Sequence, residues 1–343
     1  MIHSGIKALS RIKDRTLHWL MKAATVGCVS REERYERERH EDEERSQFSG
    51  HATGHPAVGP GLGDMTILIV GFDSAWTAHN EGAIVGVIRG NDGRYAALGP
   101  PVAANFARAE ELIASWQNSH PTDLALIMLD QPTIVRNPTG QRPTENLVAS
   151  PVSLRYGGVQ PANTERKGMF DETAPIWGFL DKFGGAANPL ELKNRGVHVF
   201  ETYPVLAMIA LDWVLADSRN TGRLPKYNPA RKKTFDKADW KHVCQQVMDS
   251  MTNHSLPPID SWLEHAISLD SPRKGDQDNL DACLCLLVGI HLAESKECLM
   301  VGDMMSGYIV TPHSTALHSE LTARCIATDR DSEEWVRTFR FGM

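Results

Sequence analysis

Short apolar runs, too brief for helices and bounded by turn residues, recur along the chain from Met65 onward. The first, 67–70, reads Ile-Leu-Ile-Val and predicts a strand buried on both faces, the position of a central strand in an α/β sheet. Residues 82–89 predict a second strand, Asn91-Asp92-Gly93 a hairpin turn, and 94–98 a third strand. Such short connections make these three strands antiparallel neighbours. Residues 104–117 carry helical spacing through Phe106, Ala109, Leu112, Ile113 and Trp116, and 124–129 form another apolar run. A strand–helix–strand crossover makes that fourth strand parallel to its partner. A helix is expected near 174–183, a fifth strand at 196–200 and a helix over 205–216. An apolar helix is expected over 276–293, and a last strand at 307–311 closes the sheet edge.

Residues 1–64 break this pattern. Some helical periodicity runs from Ile6 to Val26, and 31–45 is a dense mixed-charge run with almost nothing to bury. Residues 49–63 are rich in Gly, Pro, Ala and His, which suits a linker. The reading is therefore a charged, flexible extension over 1–64 and a folded domain over 65–343, with insertions near 133–195 and 218–275.

Composition narrows the classes. At 41% hydrophobic and 23% charged, the 343-residue chain can bury a substantial core. A net charge of −7 argues against a protein that coats polyanions generally, though a local basic surface remains compatible with a nuclease. The six cysteines have no CxxC pairing or framework spacing and read as reduced cytosolic thiols, so the protein is expected to be cytoplasmic. No apolar run is long enough to span a bilayer, and no membrane partner is expected.

The candidate chemistry lies where the apolar runs stop. Three predicted core strands end in an acid: Asp73, Asp130 and Glu201. Asp278 and Asp281 open the apolar helix. Each acid has a local alternative, as a turn former, a helix cap or an ion-pair partner. Open α/β sheets place their sites at the carboxyl ends of strands, so these side chains can converge. Like charges about 4 Å apart repel by roughly 4 kcal/mol even at an effective dielectric near 20. A cluster of carboxylates must then take up protons or hold divalent cations, and an all-oxygen donor set selects Mg²⁺ or Mn²⁺ over zinc.

The order of Gly71-Phe72-Asp73-Ser74-Ala75, Leu129-Asp130-Gln131-Pro132, Glu201-Thr202-Tyr203-Pro204, Lys226-Tyr227 and Asp278-Asn279-Leu280-Asp281-Ala282 resembles a known family. It is the predicted-nuclease family of ribonuclease H-like fold that is labelled a domain of unknown function. The resemblance runs from Met65 to about Pro312. It implies a mixed five-stranded sheet with helices on both faces and the first three strands antiparallel. It also implies metal ligands at Asp73, Asp130, Glu201 and Asp281, with Asp278 as an alternate fourth.

The resulting expectation is two-metal hydrolysis of phosphodiester bonds in nucleic acid, with Asp73 bridging the ions. Lys226, Tyr227, Arg231 and the neighbouring Lys232 and Lys233 are candidates for the substrate side, and Trp76 for stacking a base. Arg142 and Glu145 follow Asp130 in a loop that can border the site, or form a surface ion pair. Two other classes compete. A catalytically idle binding or regulatory module would keep the acids without turnover. An actin-like or sugar-kinase-like phosphotransferase would need a Gly- and Ser/Thr-rich phosphate loop where this chain has Ser74-Ala75-Trp76-Thr77.

Overall fold

The computed structural model describes residues 65–342; the extension predicted over 1–64 lies outside them. β1 (Ile67–Asp73) is buried along its whole length, as its apolar run requires. β2 (Gly82–Arg89) returns antiparallel to it, and β3 (Tyr95–Ala97) pairs with Val87–Arg89 after the Asn91–Gly93 turn. α1 (Phe106–Ser119), whose N-cap Asn105 accepts from the Arg108 N–H, leads to β5 (Leu124–Leu129). β5 lies parallel to β1, and β6 (Gly196–Glu201) parallel to β5.

Where five strands were expected, the sheet has six. The addition is β4 (Val102–Ala104), which pairs with Gly82–Ile84 on the same edge of β2 as β3. Gly99-Pro100-Pro101 divides this edge into two short strands, because proline brings no N–H to the ladder. The strand predicted at 307–311 also sits differently. β7 (Cys298–Asp303), β8 (Gly307–Pro312) and β9 (Val336–Phe339) form a separate antiparallel sheet in the order β8-β7-β9. Asp303 accepts from the Met305 and Ser306 N–H groups, which closes the tight β7–β8 turn and commits β8 to β7. The Thr202–Val310 bridge, with the Thr202 hydroxyl donating to the Val310 carbonyl at 2.9 Å, ties β8 to the end of β6.

The insertions are largely helical. Between β5 and β6 lie α2 (Pro143–Leu154) and α3 (Pro175–Lys182). After β6 comes α4 (Pro204–Ala210), shorter than the 205–216 predicted, because Asp212 turns into the left-handed region at φ 59°. The second insertion supplies α5 (Lys237–Met251) and α6 (Pro257–Ser268), followed by the long α7 (Lys274–Ala293). α8 (Thr315–Ala327) and the short α9 (Ser332–Trp335) accompany the small sheet. Among the described residues, no helix is long and apolar enough to cross a membrane.

The strand pleat sorts the large sheet into two faces. Leu68, Val70 and Phe72 pack with Phe106, Ala109 and Ile113 of α1 and Phe179 of α3. Ile67 and Ile69 pack on the opposite face, in the core that contains α7. Gly71 shares that second face. A Cβ there would run into the backbone of Ala282 and Leu286, so glycine lets α7 lie directly on β1.

Candidate active site

The same alternation places the acids. Asp73 has the parity of Ile67, Ile69 and Gly71 and so faces α7. Asp130 follows Leu124, Leu126 and Met128, the residues of β5 that pack on the α7 side. Phe72 and Leu129 are the last paired rung of β1 and β5, and the Asp130 N–H donates to the Phe72 carbonyl at 2.9 Å. Asp73 and Asp130 therefore stand one rung further on, side by side on one face.

α7 brings the remaining aspartates. Lys274, Asp278 and Asp281 lie along one stripe of the helix at steps of four and three residues. The close approach at Gly71 sets that stripe over the end of β1. Asp276 in the first turn accepts from the Arg273 N–H at 2.7 Å, so it closes the helix start and leaves the stripe free. The four aspartates line one cavity of about 800 Å³, together with Lys274, Tyr156, Tyr203, Lys226 and Arg231.

The electrostatics record the crowding. Burial, then the charges of Asp130, Asp281 and Asp278, push the Asp73 carboxyl well above the usual carboxylate range. Asp130 moves the same way, through burial and then the charges of Asp281 and Glu201. Burial lifts Asp281 to about 7 even though the Tyr227 hydroxyl, Lys274 and Gln277 favour its charged form. Lys274 is the counter-charge within the cluster and forms an ion pair with Asp278. Burial pulls its ammonium down, but the hydrogen bond to Asp278 and the nearby aspartates hold it above its ordinary value.

Glu201 lines the same cavity and its charge reaches Asp130, but its carboxylate is already engaged. Its register partner on β5 is Leu129. Both its oxygens are occupied: Oε1 accepts from Arg142 Nη2 at 2.5 Å, and Oε2 from Arg142 Nη1 at 2.9 Å and the Thr133 N–H at 3.0 Å. A cation at Glu201 would therefore compete with Arg142 for both oxygens.

Among the described residues, no group of three or more His, Cys, Asp or Glu side chains stands in metal-holding geometry. The donor chemistry of the aspartate cluster nonetheless fits a hard divalent cation. It is oxygen-only and carries more negative charge than Lys274 offsets. Buried Gln277 adds an amide oxygen, Oε1, with no hydrogen-bond partner while its amide N–H donates to Asp281.

The family described as "Protein of unknown function (DUF429)" matches residues 71–304. The chain belongs to this family. No curated protein and no solved structure matches the chain. The matched span begins at Gly71, the contact point of β1 and α7, and takes in all four clustered aspartates.

Other candidate residues of this DUF429 protein have roles the sequence did not reveal. Arg142 is 1% exposed, so it makes no surface ion pair, and it borders the cavity from within the fold. It binds Glu201, Glu145 and the Ile134 carbonyl, and so fastens the loop after β5 to β6. The Tyr227 hydroxyl donates to Asp281 Oδ1 at 2.8 Å, so Tyr227 lines the cavity and orients that carboxylate. Trp76 sits at φ 61°, donates its indole N–H to the Asp130 carbonyl at 2.9 Å and packs edge-on against Phe170. It anchors the loop after β1. Of the substrate-side candidates, Trp76, Arg142, Lys226, Tyr227 and Arg231 line the cavity. Lys274 lies before the expected helix start at Asp276, and Gln277 lies inside that helix as an uncharged residue among the acids. Their four-residue spacing to Asp278 and Asp281 was the available signal.

Proposed function

We propose that this DUF429 protein is a metal-dependent phosphodiester hydrolase acting on nucleic acid, on a ribonuclease H-like sheet. The observation that carries the reading is the convergence of Asp73, Asp130, Asp278 and Asp281 from β1, the end of β5 and α7 in one cavity, with Lys274 as their counter-charge. The antiparallel order of β1, β2 and β3 beside parallel β5 and β6 supports the fold reading. Asp73, Asp130 and Asp281, with Asp278 as a fourth, would hold Mg²⁺ or Mn²⁺. Bound there, the cations would supply a nucleophile by acidifying water and would stabilise the leaving oxygen. Tyr227 holds the Asp281 carboxylate in place. Lys226 and Arg231 are positioned to neutralise phosphate oxygens along the cavity wall. The buried, unbridged thiols of Cys244, Cys283, Cys285, Cys298 and Cys325 accord with a reducing, cytoplasmic setting.

One observation favours a second reading, a nucleic-acid-binding module without turnover: the Lys274 ammonium already sits among the aspartates as a cation would. The deciding experiment is turnover of bis(p-nitrophenyl) phosphate and of labelled single-stranded, duplex and hybrid substrates in Mg²⁺ or Mn²⁺. Metal-dependent cleavage lost in Asp73→Asn supports the hydrolase. Metal and nucleic-acid binding without cleavage would leave the module, and nucleotide triphosphate turnover would point to a phosphotransferase.

A further inference from the structure

The segment from Arg219 to Lys233 gives one side of the cavity a surplus of positive charge. Arg223 is paired with Asp239. Among the described residues, Arg219, Lys226, Arg231, Lys232 and Lys233 pair with no carboxylate. Two of these cations meet on one aromatic ring. The Arg219 guanidinium lies 3.7 Å from the Tyr156 ring centroid, and its Nη1 donates to the Leu154 carbonyl at 2.8 Å. The Lys226 ammonium stands 5.8 Å from the same centroid and donates to the Tyr156 carbonyl at 2.8 Å.

Tyr156 is itself anomalous. It follows the C-terminal end of α2 at φ 59°, a position that favours glycine, and its side chain stays in solvent with the residue 46% exposed. The left-handed turn at Tyr156 caps α2, with the Gly157 N–H donating to the Val152 carbonyl at 2.9 Å, and presents the exposed ring to Arg219. The ring and Lys226 line the cavity, while Arg219 lies beyond its lining, so the cluster spans from the cavity to the outside.

We propose that Arg219, Tyr156 and Lys226 form an outer subsite for single-stranded nucleic acid, leading the strand toward the aspartate cluster. The inference rests on the hydrolase reading of that cluster. Tyr156 and the Leu154 carbonyl fix one side of the Arg219 guanidinium plane, and a base stacks on the other side. Lys226 and Arg231 neutralise the following phosphates. Single strands fit because a cavity of about 800 Å³ has the size that takes a drug-sized ligand, roughly one to three nucleotides. Asp73, Asp278 and Asp281 are each less than a tenth exposed within it. A stiff duplex cannot bring its backbone to carboxylates so enclosed; a splayed strand can.

The test measures fluorescence anisotropy of 5′-fluorescein oligothymidylates and oligouridylates of 2, 4, 8 and 16 nucleotides, and of a 16-base-pair hairpin, on full-length Asp73→Asn protein. The expected result is affinity that climbs with length to about eight nucleotides and then levels, with the hairpin weaker. Arg219→Ala in that background should lower 8-mer affinity about tenfold and leave the dinucleotide unchanged. Arg219→Lys should keep the salt dependence of binding but lose most of the same affinity, because the ammonium cannot stack as a plane. Affinity independent of length, tighter binding of the hairpin, or an Arg219→Ala protein that binds the 8-mer like its parent would overturn the subsite. Hydrolysis is judged separately. Diester turnover without length-dependent binding removes the subsite alone, and length-dependent binding without diester turnover removes hydrolysis alone.

Discussion

Arg142 and Glu201 meet in two parallel hydrogen bonds, Nη1 to Oε2 at 2.9 Å and Nη2 to Oε1 at 2.5 Å, with both side chains buried. Glu145 takes the Arg142 Nε–H at 2.9 Å, and both Glu145 oxygens accept from the Ala162 N–H. The pair thus fastens β6, α2 and the loop between them, and this is work of structure. Breaking a buried pair from one side leaves the other charge uncompensated.

Arg142→Ala should therefore lower unfolding free energy by about 3–5 kcal/mol in urea titrations. Glu201→Gln should bind Mn²⁺ by calorimetry as the wild type does, whereas Asp73→Asn should not bind it. Equal loss in the two variants would return Glu201 to the ligand set.

The aspartate cluster is expected to trade stability for function. In the metal-free protein at pH 8, several buried carboxylates repel one another, with Lys274 as the cation among them. Asp281→Asn should raise the stability of the metal-free protein at that pH, on the order of 1 kcal/mol, while abolishing turnover. Mn²⁺ should raise the melting temperature of the wild type and much less that of the variant. Scanning calorimetry checks both, and a variant less stable than the wild type without metal would contradict the crowding.

Two glycines in or under α7 should behave oppositely. A Cβ at Gly71 meets helix backbone, so Gly71→Ala must lift α7 from β1 and cost about 3 kcal/mol or more. Nothing lies within 4 Å of a Cβ at Gly275, so Gly275→Ala should gain up to about 1 kcal/mol in helix propensity. Urea midpoints for the two variants test whether this contact sets the helix on the sheet.

The pH dependence of stability has an identifiable contributor far from the cluster. His254 packs on the Tyr95 ring, 4.4 Å between centroids, with Glu294 at 3.4 Å and Lys296 nearby. Burial lowers its affinity for a proton below the ordinary 6.5, despite the attraction of Glu294. The unfolded chain then binds the proton more readily. His254 supports the fold fully above 6.5, and that support is lost as pH falls through 6.5 toward the folded-state value. The melting temperature of His254→Gln should fall less than that of the wild type between pH 7.5 and 5. Parallel curves would contradict this assignment.

The sequence by itself determined the central strands β1, β2, β5 and β6 and the acids at the ends of β1, β5 and β6, but not β4, β7 or β9. Apolar runs at 67–70 and 124–129 can be satisfied only inside a sheet, and their abrupt stop at Asp73 and Asp130 marks where the sheet meets solvent. The Asp278–Asp281 pair on an apolar helix was equally legible, since helical spacing fixes a shared face locally. The tertiary structure alone decided which acids meet. Glu201 and Asp130 look equivalent as strand-end acids, yet Glu201 is held by Arg142 while Asp130 is crowded by Asp73 and Asp281. The roles of Tyr227 and Tyr156 likewise depend on partners 54 and 63 or more residues away, Asp281 and the Arg219–Lys226 cations. Periodicity is a property of neighbours along the chain, while register, helix seating at Gly71 and long-range ion pairs arise only when distant segments compete for the same space.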